Sequence, residues 1–538
     1  MSAMGSMSAA ERYLRYRAPS EDGQVLCVPP WREVGELLRS NRALRAAQSV
    51  DIHGRSLQNL SVAARQATLS TALAYTRTYA DVEPACEESP LILTGHQPEL
   101  VHPGVWLKDF AAAKIARQAN GTALSLIIDS DLCRVPSIRV PTGSAEEPQV
   151  ESVAYDRALD PMPLEERPIV DRATWDSFGS RVSRTIKPLV ASPLIEPWWP
   201  EHALSCNSSN LGLAIARARH RLELQWGNRS LCLPQSRVCQ TVSFRWFAVH
   251  LLAHAERFRV AYNGALAEYR REHRLRNHAQ PIPDLAESEG LIETPFWIWT
   301  TEDPRRRALY AQQKSGRLFL TDRSGFENSL PLSSESEALP AVEKIADWES
   351  QGIKIRPRAL VTTMYARLVL ADLFIHGIGG AKYDQVTDVI CEKFFGFPPV
   401  SYLALSGTLR LPIEHRLISP RQARHLRQEL RELTYHPETA AEKLTLSPDE
   451  QVKVETIIAQ KNAWLQTPQT RDNALLRHRQ IVAANEALQE WLISPRAELN
   501  RKLATATRQI RASHLLESRE YPFCLFPQAS IRKFLLDF

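Results

Sequence analysis

An α/β protein built on a parallel sheet is what this sequence predicts, and three observations carry that reading. A short branched run at 91–93 precedes a segment in which Leu107, Phe110, Ala111 and Ile115 recur at helical spacing, so a buried strand feeds a helix. A second apolar run at 124–128 closes a βαβ unit. Strand-like and helix-like segments then alternate to about residue 420, the pattern of a sheet covered by helices.

The elements follow in order. Residues up to about 90 read as a helical preface packed on the core, with helical periodicity at 31–48 and 57–79. After the βαβ unit, the Pro- and Trp-rich stretch at 160–201, with Pro197-Trp198-Trp199-Pro200, reads as an irregular excursion. A strand at 230–233 leads to a long helix at 242–273. Runs at 296–300, 307–310 and 317–321 are short, aromatic or branched and separated by turn formers, which predicts an inserted antiparallel meander over about 294–322. Trp297 and Trp299 then share one strand face and point to the core. The core is expected to resume at Ile355-Arg356-Pro357-Arg358, with a helix at 361–374, a loop His376-Gly377-Ile378-Gly379-Gly380, a helix through Asp388 and Cys391, and a strand at 402–405.

Beyond about 420 the pattern is helical, punctuated by Pro437, Pro448, Pro468 and Pro495. Ile457, Trp464, Leu476, Ile481, Leu488, Trp491, Leu499, Leu503 and Ile510 form its apolar stripe. Such a stripe needs a hairpin partner or a second subunit. The apolar tail at 521–527 is expected to dock back on the core. Three regions result: 1–90, 91–420 and 421–538.

A chain of 538 residues is too long for one core. Its net charge of +5, with no long basic block, gives no nucleic-acid surface. The most apolar stretch, 359–380, carries Arg367, Asp372 and His376, and central charges of that kind argue against a membrane span. The eight cysteines (Cys27, Cys86, Cys133, Cys206, Cys232, Cys239, Cys391, Cys524) are scattered without a C-x-x-C pair. Together with an N-terminus lacking a basic start and an apolar core, they predict reduced thiols and a cytoplasmic location. Met4 and Met7 leave the start of translation open.

The segment Thr94-Gly95-His96-Gln97-Pro98-Glu99-Leu100-Val101-His102-Pro103-Gly104 is the richest in chemistry, because it places two histidines on the turn feeding a helix N-terminus. His96 and His102 are read as stabilising negative charge on a transferred group; the alternative is that one of them caps the helix and the other is an exposed loop residue. Lys108 in the first helical turns assists an anion, while Lys114 is a structural or solvated lysine. Asp129 and Asp131 follow the second strand, and a turn after Asp129 leaves one of them, Asp131, as the pocket carboxylate that orients or deprotonates a substrate; an N-cap or an Arg134 ion pair is its alternative. A metal reading joins His96, His102, Asp131 and Cys133 as zinc ligands with an open fourth position, but H-x5-H on a loop is unspecific, and metal is the minority reading.

Gly377-Ile378-Gly379-Gly380-Ala381-Lys382 fails the phosphate-loop template, since a helix is expected before it and Tyr383 stands where Ser or Thr belongs. His376, Gly379, Gly380, Tyr383 and Asp384 are retained as substrate contacts, with a helix C-cap as the alternative, and Arg356 as a carboxylate clamp or a structural ion pair. A polar group around Asn263, Tyr269, Arg270, Asn277 and His278 has no assigned role.

Thr94-Gly95, Gln97-Pro98 and Leu100, followed by a helix with Lys108 and Lys114, resemble the signature region of the bacillithiol biosynthesis cysteine-adding enzymes. Arg356-Pro357 before a helix, Gly379-Gly380 and Tyr383 in the next loop, and a helical C-terminal region follow in the same order. The resemblance implies a Rossmann-like, nucleotidyltransferase-like core with a C-terminal coiled coil that dimerises. It also implies a ligase-like reaction joining cysteine to an amino-sugar conjugate, with Thr94, Gly95, Gln97 and Asp129 near the substrate. That family commonly has glutamine where His96 stands, glycines where Glu99 and His102 stand, and a histidine in the acidic patch corresponding to Asp129-Ser130-Asp131-Leu132-Cys133. A diverged branch with a different substrate is therefore expected: an enzyme joining an amino acid or similar nucleophile to a small sugar-derived or carboxylate compound. The competing reading is a binding or scaffold protein that kept the fold and lost the chemistry. The expected partners are a small molecule and a second copy of the chain; the cofactor is unknown, with ATP or another nucleotide as the candidate and zinc as the minority reading.

Overall fold

The computed structural model describes residues 13–83, 88–205, 208–277, 279–415 and 419–538; Cys86, Cys206 and His278 lie outside them. The chain divides into two compact units. One comprises Met1–Val140, Glu151–Leu411 and Arg519–Phe538, and the other Pro141–Val150 with Pro412–Ser518. In this division the described residues 13–83 and the tail 519–538 fall in the core unit.

The elements of the core unit that position the site are β1 (Val25–Val28), α1 (Val34–Ala47), α2 (Leu57–Arg77), β2 (Leu91–His96), α3 (Pro103–Gln118), β3 (Thr122–Ile127), α4 (Arg172–Ile186), α5 (Leu211–Gln225), β4 (Leu231–Pro234), α6 (Val242–Ala253) and α7 (Ala255–Glu272). After them come β5 (Leu291–Thr300), β6 (Arg307–Lys314), β7 (Arg317–Thr321), β8 (Glu327–Leu330), α8 (Leu339–Ser350), β9 (Ile353–Pro357), α9 (Ala359–Tyr365), β10 (Leu373–His376), α10 (Ile378–Phe395) and β11 (Tyr402–Gly407). The central sheet runs β1-β11-β10-β2-β3-β4. Neighbours from β11 to β4 are parallel, and β1 closes the edge antiparallel to β11. From β2 the chain builds outward through β3 and β4, then returns to the other side of β2 for β10 and β11. The order therefore reverses between β2 and β10, and ligands of such sheets bind outside the strand ends at that point.

Apolar runs buried on both faces explain these strands. Leu91, Leu93, Leu124, Leu126, Leu231 and Leu233 join Leu60 and Leu69 of α2 and Phe247 of α6 in one core. At the amino edge Asp372 accepts from the Leu91 N–H (2.8 Å) and pairs with Arg45 of α1 (3.2 Å) and Arg65 of α2 (3.0 Å). That buried carboxylate fastens the preface to the sheet.

Several expectations are corrected. The helix expected at 361–374 is α9 followed by a wide turn at Ala366–Leu370 and then the parallel strand β10; a mostly apolar run does not by itself distinguish helix from buried strand. A strand, not a helix, therefore precedes Gly377. Residues 355–358 do not resume the parallel sheet, because β9 pairs antiparallel with β5. The meander is larger than expected, a sheet of order β8-β7-β6-β5-β9. The helix expected at 242–273 breaks at His254 into α6 and α7. The 160–201 excursion contains α4, against which Trp199 packs, its ring centroid 4.6 Å from those of Trp175 and Phe178. In the tail, Phe523 packs on Trp106 at 4.4 Å between centroids.

The second unit is helical: α11 (Pro420–Tyr435), α12 (Pro448–Gln466), α13 (Ala474–Leu488) and α14 (Ile493–Leu516). A capping box of Ser447 and Glu450 starts α12. Leu433, Val454, Ile458, Leu488 and Leu492 form its core, with Ile457, Trp491 and Leu499 half-buried against it, whereas Leu476 of the expected stripe is 50% exposed.

Candidate active site at the carboxyl edge of the parallel sheet

β2 ends on His96, in register with Ile127 of β3, which in turn faces Pro234 of β4. His96 does not stand free at the rim. Its Nε2 lies 2.8 Å from Asp109 Oδ2 on α3 and its Nδ1 3.0 Å from the Gln97 carbonyl oxygen, while Ser125 donates to the other Asp109 oxygen at 2.8 Å. Burial depresses the pKa of the ring, with Arg219 and Lys108 adding to it and Asp109 opposing. Burial alone would raise Asp109, but the His96 contact, Arg219 and Lys108 hold it well below the usual carboxylate range. Lys108 is buried as well. Its Nζ donates to the Gly95 carbonyl at 2.9 Å, and burial brings its pKa down to about 8.

On the other side of the reversal, β10 ends on His376, whose Nε2 lies 2.8 Å from Asp384 Oδ2 one helical turn and a half into α10. The Asp384 carboxylate also accepts from the buried Arg367 (2.5 Å) and the half-buried Thr363 (2.6 Å). Gly377 caps α10, and a Cβ on Gly380 would stand 2.6 Å from His376 Nδ1, so this first turn needs glycine to lie over the imidazole. Gly377 also approaches Lys108, whose side chain a Cβ there would meet at 4.0 Å. The two strand ends thus share a buried lysine.

The open space at this edge lies beyond β3 and β4. A cavity of about 510 Å3 is lined by Asp129, Glu165, Glu166 and Tyr75 together with Arg217, Arg237, Lys354 and Ser236. Asp129 is a strongly perturbed carboxyl in its wall. Its two oxygens accept from the Ser236 hydroxyl (2.6 Å) and N–H (3.0 Å). Burial first, then the neighbouring Glu165 charge, push its carboxyl up to about 7, against the pull of Ser236 and Arg356. A carboxyl that exchanges its proton near neutrality suits general acid–base work. Glu165 is held in turn by Arg356, at 2.9 and 2.7 Å, and Arg356 also grips Glu349 at 2.9 and 2.8 Å. Arg217 donates to the Tyr75 hydroxyl at 3.2 Å with its guanidinium 5.1 Å from that ring. The lining carries both signs of charge, which matches a compound that carries both.

The remaining expected residues fall as follows. A turn does follow Ile127, with Asp129 and Ser130 at its corner, but the carboxylate that lines the cavity is Asp129, not Asp131. Asp131 accepts from Gln97 (3.0 Å) and from Arg306 (3.1 Å), with Arg306, not Arg134, as its ion-pair partner. Burial raises its pKa, and the bonds from Gln97, the Leu132 N–H and Arg306 more than offset this, so it is lowered. His102 is a cap: its Nδ1 accepts from the Gly104 N–H at 3.1 Å, and burial with Arg519 and Lys108 brings its pKa down to about 4. Thr94 is buried and donates to the Ile375 carbonyl at 3.2 Å, tying β2 to β10. Arg356 is a structural ion pair, Tyr383 is 41% exposed, and a Cβ on Gly379 meets nothing within 4 Å. His96, His102, Asp131 and Cys133 do not converge as metal ligands, and the Cys133 thiol is pushed up by burial. Of the polar group at 263–277, Asn263 and Arg270 serve to fasten the segment 280–285.

Sequence reasoning missed Asp109, Glu165, Arg217 and Lys354. Asp109 follows Lys108 on the α3 face that covers β2, a legible signal; the others come from segments whose partners only folding supplies. The sequence matches no family model and no curated protein.

Proposed function

We propose that this chain is an enzyme acting on a small compound that carries both an amine and an acid, bound in the cavity beyond β3 and β4. Asp129 takes the proton from the attacking nucleophile. The observation that carries the reading is the buried Asp129 carboxyl, poised near pH 7 in the wall of a polar cavity at the carboxyl edge of the sheet. Arg217 and Lys354 meet the substrate's acid and Glu165 and Glu166 its amine. The reversal of strand order between β2 and β10 supports a Rossmann-like reading of the sheet, and the helix N-termini that follow those two strands are candidate places for a nucleotide or phosphate. The reaction that joins these features is ligase-like: an amino acid, cysteine being the first candidate by the bacillithiol resemblance, joined to a sugar-derived or carboxylate partner.

Thermal-shift screening of the full chain with amino acids including L-cysteine, amino sugars and nucleotides tests the reading. An amino acid is expected to raise the melting temperature, and Arg217→Ala is expected to abolish that rise. With the substrate in hand, Asp129→Asn is expected to lower the rate by about 10²–10⁴-fold. An unchanged rate in Asp129→Asn overturns the role of this carboxyl, and a ligand response untouched by Arg217→Ala overturns the cavity.

A further inference from the structure

The break between α6 and α7 brings together three histidines that the catalytic reading does not use. His250 lies on the last turns of α6, His254 sits at the junction four residues on, and His53 occupies the turn before α2 with φ +52°, a left-handed conformation. One nitrogen from each lies within 4.8 Å of the other two, and the ring centroids are 4.9, 6.0 and 6.2 Å apart. His53 and His250 are 7% and 4% exposed, and His254 is half-buried. His53 Nε2 and both nitrogens of His250 have no hydrogen-bond partner.

That last fact needs a cause. A neutral imidazole has one donor and one acceptor, and leaving such a group buried and unmatched costs about 1–3 kcal/mol. The surroundings offer little relief, since His250 stacks on Phe395 and meets Phe394 edge-on. Packing alone would be served better by a phenyl ring. A single cation would take one nitrogen from each of the three rings and so account for one of the two unmatched His250 nitrogens.

We propose that His53, His250 and His254 bind one divalent transition-metal ion of the zinc type, with a fourth position left for water. The donor set selects the class: imidazole nitrogens without carboxylate or carbonyl oxygens suit zinc, cobalt, nickel or copper and not magnesium or calcium, and three protein ligands with an open position is a recognised zinc arrangement. Spacing of four residues brings His254, at the break itself, beside His250 on the last turn of α6. Closing nitrogens from 4.8 Å to the separation that bonds of about 2.0–2.1 Å demand takes ring rotations and a shift of about 1 Å. Trp246 of α6 donates to the Ile52 carbonyl at 2.8 Å, so the His53 turn is already fastened to the helix that carries His250. Burial depresses all three pKa values, that of His250 to about 3, and ligands that are already deprotonated lose no proton on binding. Arg257, whose charge lies nearby over Phe394 at 4.3 Å, opposes the ion, whereas Asp51 favours it.

The test uses the tag-free full chain, stripped with chelator and gel-filtered. On titration with Zn2+ against a competing dye it is expected to retain one more ion per chain than the His53→Ala/His254→Ala variant does. Co2+ is expected to give the visible absorption of a four-coordinate site. His250→Phe, which fills the same space against Phe394 and Phe395, is expected to weaken the ion by more than about 100-fold, exceeding the 10–100-fold typical of outer-shell losses. The half-exposed His254→Ala gives the same result should the buried substitution disturb folding. Equal metal retention by wild type and the double variant, or a Co2+ spectrum that remains that of the hydrated ion, overturns the proposal.

Discussion

Asp129→Asn separates the charge of this carboxyl from its shape. In the folded chain Asp129 titrates at about 7 instead of its ordinary 3.8. At 1.36 kcal/mol for each pH unit, that displacement is worth about 4 kcal/mol. The sign follows from proton counting: between these two values the folded state binds the proton and the unfolded chain has lost it. The contribution of Asp129 is thus fully present below pH 4, is lost as pH rises to about 7, and is constant above. Asparagine has nearly the same volume and no charge, so it escapes this loss. It also gives up one acceptor for Ser236, a cost that does not vary with pH and drops out of the comparison. Urea midpoints of wild type and Asp129→Asn, read by tryptophan fluorescence from pH 4.5 to 8, are expected to draw apart in favour of the variant, with the difference flat above pH 7. A difference independent of pH across that range would refute the displaced carboxyl and with it the proton-transfer role.

Other outcomes follow from the same structure. His102 titrates at about 4 in the fold against 6.5 in the unfolded chain, so the unfolded state takes up the proton first and stability falls as pH drops from 6.5 to 4. His102→Asn keeps a capping side chain, and its urea midpoint is expected to fall less than wild type's over that interval; parallel curves would contradict the assignment. Arg356→Met leaves the half-buried Glu165 and Glu349 to Lys354, 3.4 and 3.6 Å away, and is expected to cost about 1.5–3 kcal/mol in chemical denaturation, a loss under 1 kcal/mol showing the pair to be dispensable. Gly380→Ala drives a methyl to 2.6 Å from His376 Nδ1 and is expected to cost about 1–3 kcal/mol, whereas Gly379→Ala, in open space on the same turn, is expected to be neutral or stabilising; equal effects would refute the packing of that turn. Leu475, Leu476, Val482 and Ile493 are 63%, 50%, 36% and 68% exposed, and light scattering is expected to give a homodimer that Leu476→Lys with Ile493→Lys dissociates; a wild-type monomer at all concentrations rules the dimer out.

What the sequence determined by itself is local. The βαβ unit from Leu91 to Ile127 was legible because strand and helix each bury an apolar pattern of their own period, and the meander because its turns carry their own residues. A helix cap at one of the two histidines was a reading open in the chain, since a cap is a contact between near neighbours; the structure assigns it to His102. Tertiary structure decided the rest. Residues 359–376 are largely apolar despite Arg367 and Asp372, so only the space beside β2 made 373–376 a strand and turned the glycines after it into the start of a helix at the sheet's reversal point. It also chose Asp129 over Asp131, because the pKa of a carboxylate depends on what surrounds it: Glu165 and burial raise one, while Arg306, 175 residues away, holds the other. The same holds for His53, about two hundred residues from its companions: charge and lone pairs act through space at a few ångströms, and sequence separation carries no record of that distance.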